Sequence, residues 1–148
     1  MNKQMIVLSI FLSATGGALA HQGVKNPAVM ARMDAMSAIG KNMKVLGAMA
    51  KGEAPFDPKA IQQALTSIEG HAAKTPGLFK AMESDPKSES KPEIWEDFSD
   101  FTRKAKALES AAAGLSGRIE KPDDLGPAVN ALGKTCKSCH ELYREERE

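Results

Sequence analysis

Between Asn26 and Ala50 the stretch NPAVMARMDAMSAIGKNMKVLGAMA places apolar or small residues at Val29, Met33, Met36, Gly40, Met43, Gly47 and Ala50. Steps of four and three are the period of a helix face, and Asn26 followed by Pro27 supplies a cap and a first-turn proline. Lys51 and Gly52 stop this helix, and EAPFDP is a loop by its prolines. Asp57 and Pro58 open a second helix with Ile61, Leu65, Ile68 and Ala72 on one face. Residues 75–91, TPGLFKAMESDPKSESK, lose the rhythm and gather proline, glycine, serine and charge, which predicts a surface loop. Ser90 to Glu93 has the spacing of a capping box. Behind it Ile94, Phe98, Phe101, Ala105, Leu108, Ala112 and Leu115 predict one continuous helix, of about six turns.

Gly117 or the turn after it ends that helix, and EKPDD starts a last one with Leu125, Val129, Leu132, Cys136, Cys139 or His140, and Tyr143 inward. No segment alternates with period two for long enough to make a strand. Four amphipathic helices, connected briefly except at 75–91, predict an all-α, antiparallel up-and-down four-helix bundle. Nothing signals a repeat, a low-complexity linker or a second domain.

The first twenty residues, MNKQMIVLSIFLSATGGALA, do not fit the bundle pattern. Lys3, an apolar run from Met5 to Leu12 and small residues leading to Ala18-Leu19-Ala20 have the order of a secretory signal cleaved after Ala20. The run is too short to span a bilayer. The expected mature chain is therefore one domain over residues 21–148, exported to the periplasm and without an integral membrane segment.

Charge narrows the partners. The chain carries 20 Lys+Arg and 19 Asp+Glu, and removal of the signal takes away one base, Lys3, and no acid. A neutral domain has no electrostatic footprint for nucleic acid. Five Phe, one Trp and one Tyr fill a core sparsely, so alanine, leucine, methionine or a bound group has to supply volume.

The chemistry concentrates in GKTCKSCHELYR, where Cys136 and Cys139, the only two cysteines, precede His140. Three chemistries use such spacing: a redox disulfide, part of a metal site, and covalent haem attachment. A thioredoxin-like pair sits after a strand at a helix N-terminus; here it lies inside a predicted helix. A structural zinc site needs four ligands, and besides His140 only His21 and His71 remain, neither in a ligand-spaced pair. A disulfide closing two intervening residues constrains little of the unfolded chain. Cys-X-X-Cys-His is the pattern of c-type haem attachment, with two thioethers to the porphyrin and the histidine as proximal iron ligand. A haem would also fill the volume that the aromatics leave.

A haem motif near the C-terminus of a four-helix chain resembles the class II cytochromes c, which comprise cytochrome c' and its low-spin, methionine-ligated relatives. The similarity runs over the whole mature chain and is strongest in GKNMKVLGAMAKGEAPFD, KPEIWEDF and CKSCHELYR. It implies one covalently bound haem c per chain, held by Cys136 and Cys139, with His140 as axial ligand. It also implies Arg144 beside the proximal histidine, Arg32 near the haem propionates, and Met36 at the distal position. Where the family's distal residue is apolar and does not coordinate, iron is open to nitric oxide or carbon monoxide; where it is methionine, the sixth site is closed. Met36 therefore points to a His/Met-ligated electron carrier rather than an enzyme, with redox proteins as donors and acceptors and a homodimer as a family option. Met33, nearly on the same face, is the competing ligand. Five methionines on or beside the first helix also suit plain core filling.

A five-coordinate gas binder and a haem-free helical domain with a disulfide, of the thiol oxidoreductase kind, stand as the alternatives. His21 reads as part of a chain end, His71 as a helix-edge residue, and Trp95 and Phe98 as core. Arg144 and Arg147 have nearby glutamates with which to pair.

Overall fold

The computed structural model describes residues 23–146, so the proposed signal segment, His21 and Arg147 lie outside the described residues. The chain forms α1 (Pro27–Ala50), α2 (Pro58–Leu78), α3 (Glu93–Glu96), α4 (Phe98–Leu115) and α5 (Leu125–Tyr143), with a 3₁₀ turn at Pro122–Asp124. No strand occurs among the described residues; Ser90 and Arg144 form an isolated antiparallel bridge.

Local chemistry sets the helix starts. The Asn26 side-chain oxygen accepts from the amides of Ala28 at 2.8 Å and Val29 at 3.2 Å. Asp57 does the same for Lys59 at 2.9 Å and Ala60 at 3.2 Å. Each satisfies amides that the first helical turn leaves without a backbone acceptor. Gly52 and Gly117, after α1 and α4, adopt positive φ of 73° and 71°, which only glycine takes without steric cost.

The long helices pack as a closed ring: α1 on α2, α2 on α4, α4 on α5, and α5 back on α1. This is a four-helix bundle. Its main core gathers Leu46, Leu65, Ile68, Leu125 and Leu132, all at most 1% exposed. A second, separate cluster, largely aromatic, joins Phe79, Ile94, Phe101 and Tyr143.

Three local expectations are corrected. The loop predicted from residue 75 begins later, because α2 continues to Leu78 with Pro76 inside it. A proline this near the C-terminus costs one backbone hydrogen bond, and the Thr75 carbonyl still accepts from Phe79. The single helix expected from Ile94 to Leu115 breaks at Asp97, whose φ of −128° and ψ of 67° are not helical. The Asp97 carboxylate caps α4 by accepting from the Asp100 amide at 3.0 Å. Ser90 is not a helix cap: the chain at 89–91 instead pairs with the end of α5, through Lys91 N–H to the Tyr143 carbonyl and Glu145 N–H to the Glu89 carbonyl.

On α1 the fully buried positions are Val29, Arg32, Ala35, Ile39 and Leu46, whereas Met33, Met36, Gly40 and Met43 are half-buried beside them. The expected stripe thus lies along the edge of the core.

The chain entering α1 is tied down by Asp85, whose carboxylate accepts from the amides of Lys25 at 2.8 Å, Asn26 at 3.0 Å and Lys87 at 2.9 Å. Those backbone donors, Lys87 first, hold its pKa below the ordinary aspartate value.

Two outcomes follow for stability. Leu65→Ala, at a position 1% exposed, is expected to lower unfolding free energy by about 2–5 kcal/mol in urea denaturation. Asp85 has a depressed folded pKa, so its stabilisation is complete above the unfolded value of about 3.9 and is lost as pH falls through the folded one. Urea midpoints for the parent and Asp85→Asn should therefore differ at pH 7 and converge below about pH 4.

Candidate functional site

A cavity of about 720 Å³ opens between α1, α4 and α5, closed at one side by the loop after α2. From α1 come Met33, Met36, Gly40 and Met43; from α5 come Gly133, Cys136, Cys139 and His140. Phe101, Ala105 and Leu108 of α4 extend the apolar wall, and Lys87–Ser90 with Arg144 make its polar edge. Such a volume, mostly apolar with a few polar groups at one side, suits a small molecule or cofactor.

Helix geometry explains how the sequence builds these walls. Met36, Gly40 and Met43 are spaced by four and three residues, as are Gly133, Cys136, Cys139 and Tyr143, so each set lies along one helix face. A Cβ added at Gly40 or at Gly133 would meet nothing within 4 Å. Both glycines border the cavity, and the space a side chain would take is left to whatever the cavity holds.

Cys136 and Cys139 are free thiols, half-buried, three residues apart and on the same wall. Burial raises the Cys136 pKa. Burial also pushes Cys139 up to about 11, against the opposing charge of Lys104. Dithiol oxidoreductases depend on a lowered thiol pKa, so this pair has the opposite electrostatic setting. His140 borders the cavity while remaining exposed on its outer side. Partial burial lowers its pKa, the Arg144 charge adds to that, and Glu89 opposes it. A neutral imidazole is the form that ligates metal.

The two arginines singled out in the sequence both reach the cavity wall. Arg32 is 2% exposed, and donates from Nε to the Leu78 carbonyl at 3.0 Å, and from its terminal nitrogens to Glu83 O at 2.8 Å and Ala81 O at 2.6 Å. Its guanidinium lies over the rings of Phe79 and Trp95, 4.7 and 5.4 Å from their centroids. Arg144 pairs with Glu89 through Nε and Nη2, each 2.7 Å from Oε2.

Other candidates fall elsewhere. His71 does not line the cavity. Trp95 and Phe98 pack with the aromatic cluster, with Trp95 Nε1 donating to the Phe79 carbonyl at 2.7 Å. Gly133 and Lys104 are cavity residues that the sequence reading did not single out. Gly133 had a signal, being a small residue one turn before Cys136 on the same face. Lys104 had none, since a lysine beside an apolar stripe ordinarily marks the solvent edge.

The residues present fit a c-type haem: two thiols on one wall, a histidine after them, apolar surroundings, and open space kept by glycines on two helices.

The comparisons with known proteins agree with this chemistry. The family model described as Cytochrome C' matches residues 27–144. Cytochrome c-556 of Rhodopseudomonas palustris is 37% identical over 131 residues, covering 80% of this chain and 88% of the relative. Cytochrome c' of the same organism is 33% identical over 110 residues, covering 74% and 75%. Among solved structures, R. palustris cytochrome c' superposes with a TM-score of 0.78 at 30% identity, covering 84% of this chain and all of that one. The structural model of oxidised R. palustris cytochrome c556 gives 0.75 at 33% identity, with 84% and 100% covered. From the first residue of α1 to the residue after α5, then, this chain belongs to the cytochrome c' family, the class II cytochromes c that carry covalently bound haem c.

Proposed function

We propose that the chain is a monohaem electron carrier, with Cys136 and Cys139 forming the thioethers, His140 as proximal ligand and Met36 as distal ligand. The observation carrying this reading is that Met36, from α1, lines the same cavity as the α5 cysteines and histidine. Gly40, one turn further on, leaves that stretch of α1 without a side chain. Met33 lines the cavity too, but Met36 also packs against the main hydrophobic core, which supports its being held toward the interior.

When bound, the haem supplies a one-electron ferric/ferrous couple, and histidine plus thioether ligation favours its reduced state. The protein's part is to bind, insulate and orient. The apolar walls from Met43, Leu108 and Phe101 exclude water. Arg144, fixed by Glu89, sits one turn after His140 and supports the proximal side. Arg32, with five N–H donors and three carbonyl partners, keeps donors for a propionate.

The same proposal includes export to the periplasm after cleavage at Ala20, redox proteins as partners, and a homodimer formed through α1 and α2. Exposed Val45 and Met30 on α1 suit that last contact. Among the described residues no helix is long and apolar enough to cross a membrane.

A second reading, an open-sited gas binder, is favoured by the close superposition on cytochrome c'. It differs from the first in one bond, from Met36 to iron. The haem-free reading loses its support in the raised thiol pKa values and the family assignment.

Optical spectra separate the readings. The parent is expected to be low-spin in both oxidation states. If the sixth site is open in about one molecule in a hundred, carbon monoxide binds about a hundredfold more weakly than to an open site. Met36→Ala should become high-spin and regain that factor, while Met33→Ala should keep the parent spectrum. A parent that is high-spin when reduced and binds the gas readily rules out Met36 ligation.

A further inference from the structure

The cavity wall contains one lysine in an unusual setting. The Lys104 side chain is 16% exposed, against 70% for Lys51 and 76% for Lys137. It lines the cavity from α4, and its Nζ lies 4.0 Å from Asp100 Oδ2, one turn earlier on the helix. That same carboxylate oxygen accepts from the Tyr143 hydroxyl at 2.7 Å. Arg103 bonds the other oxygen from the solvent side.

Tyr143 stands three residues after His140 on α5, and Cys139 packs against the aromatic cluster that contains it. An ordinary surface pair of this i,i+4 type contributes a few tenths of a kilocalorie to a helix and has no bearing on a cofactor. This one differs because its carboxylate is anchored across the bundle and its ammonium stem runs along the cavity. Lys104 from α4 and Cys139 from α5 line the same cavity, so the ammonium and the sulfur face one space.

We propose that Lys104 tunes the reduction potential of the haem held by Cys136 and Cys139, and that Asp100, anchored by Tyr143, is the residue positioning its charge. The inference rests on the haem occupying this cavity and is independent of whether Met36 or an open site faces it. Reduction takes one electron from a one-electron donor and breaks no bond, so the charge of the iron centre falls by one. A fixed cation in a poorly solvated wall then favours the reduced form. At an effective dielectric constant of about 20, removing a unit charge from the cavity wall is expected to change the ferrous/ferric equilibrium about tenfold. For a one-electron couple that corresponds to about 59 mV.

The test is potentiometric titration of the haem-loaded protein, with an optical spectrum of each variant to show that the iron ligands are unchanged. Lys104→Met should shift the equilibrium about tenfold toward ferric, and Lys104→Arg should restore it to within about twofold of the parent. Lys87→Met, at an exposed cavity-edge lysine, should move it less than Lys104→Met. In an Asp100→Asn background the Lys104→Met shift should shrink to half or less on a logarithmic scale. Should the methionine variant lose haem, Lys104→Gln takes its place.

A haem-loaded Lys104→Met with the parent potential, or a Lys104→Arg that behaves like it, overturns the role of Lys104. An undiminished shift in the Asp100→Asn background overturns the positioning role. A parent without a Soret band would instead refute the haem reading itself, a result distinct from all of these.

Discussion

Arg32 carries the constraint on which the cavity end of the bundle depends. A guanidinium 2% exposed is costly to remove from water unless its donors find acceptors. Here they find the carbonyls of Leu78, Ala81 and Glu83, at and just beyond the C-terminus of α2. That end of a helix concentrates negative partial charge, so the cation compensates orphan carbonyls while being compensated by them. The result fixes the path of the chain after α2, and with it Phe79, on which the guanidinium also stacks. Phe79 in turn contacts Phe101 with centroids 4.9 Å apart, and Phe101 meets Tyr143 edge-on at 5.4 Å. One buried charge on α1 therefore reaches α5 through a short run of rings.

Between this aromatic cluster and the main core the interior is not filled by side chains. Protein interiors are normally packed as densely as organic crystals, and a cavity of about 720 Å³ is far from that norm. Its walls carry Gly40 and Gly133, which put no side chain into the space, and the two unbonded thiols. A haem in this cavity, as proposed above, would complete the packing of the frame. Dependence on haem for volume agrees with a chain so poor in aromatic residues.

Much of this was legible in the sequence, for identifiable reasons. Helix caps at Asn26 and Asp57 are local, so adjacent residues disclose them. The haem motif is local as well. The break at Asp97 was hidden because Ile94, Phe98 and Phe101 keep the four-three step straight through it, while the aspartate that interrupts the helix also restarts it. Ser90 misled for a related reason: its spacing suits a cap, but its backbone finds a bridge partner at Arg144, on the far side of α4 in the chain. Lys104 was invisible, since only the packing of α4 against α5 turns a stripe-edge lysine inward. On α1 the apolar pattern indicated the cavity face of the helix rather than its core face, where an arginine occupies a position that hydropathy would assign to water.

The ring of helices also has an order of closure. α1 with α2, and α4 with α5, are joined by short connections, whereas the contact of α5 on α1 closes a loop comprising nearly the whole bundle. Loop-closure entropy makes that contact the costliest of the four to close. The cysteine pair lies on α5 and faces Met33 and Met36 of α1 across the cavity, so a group held there would bridge this long-range contact from both sides.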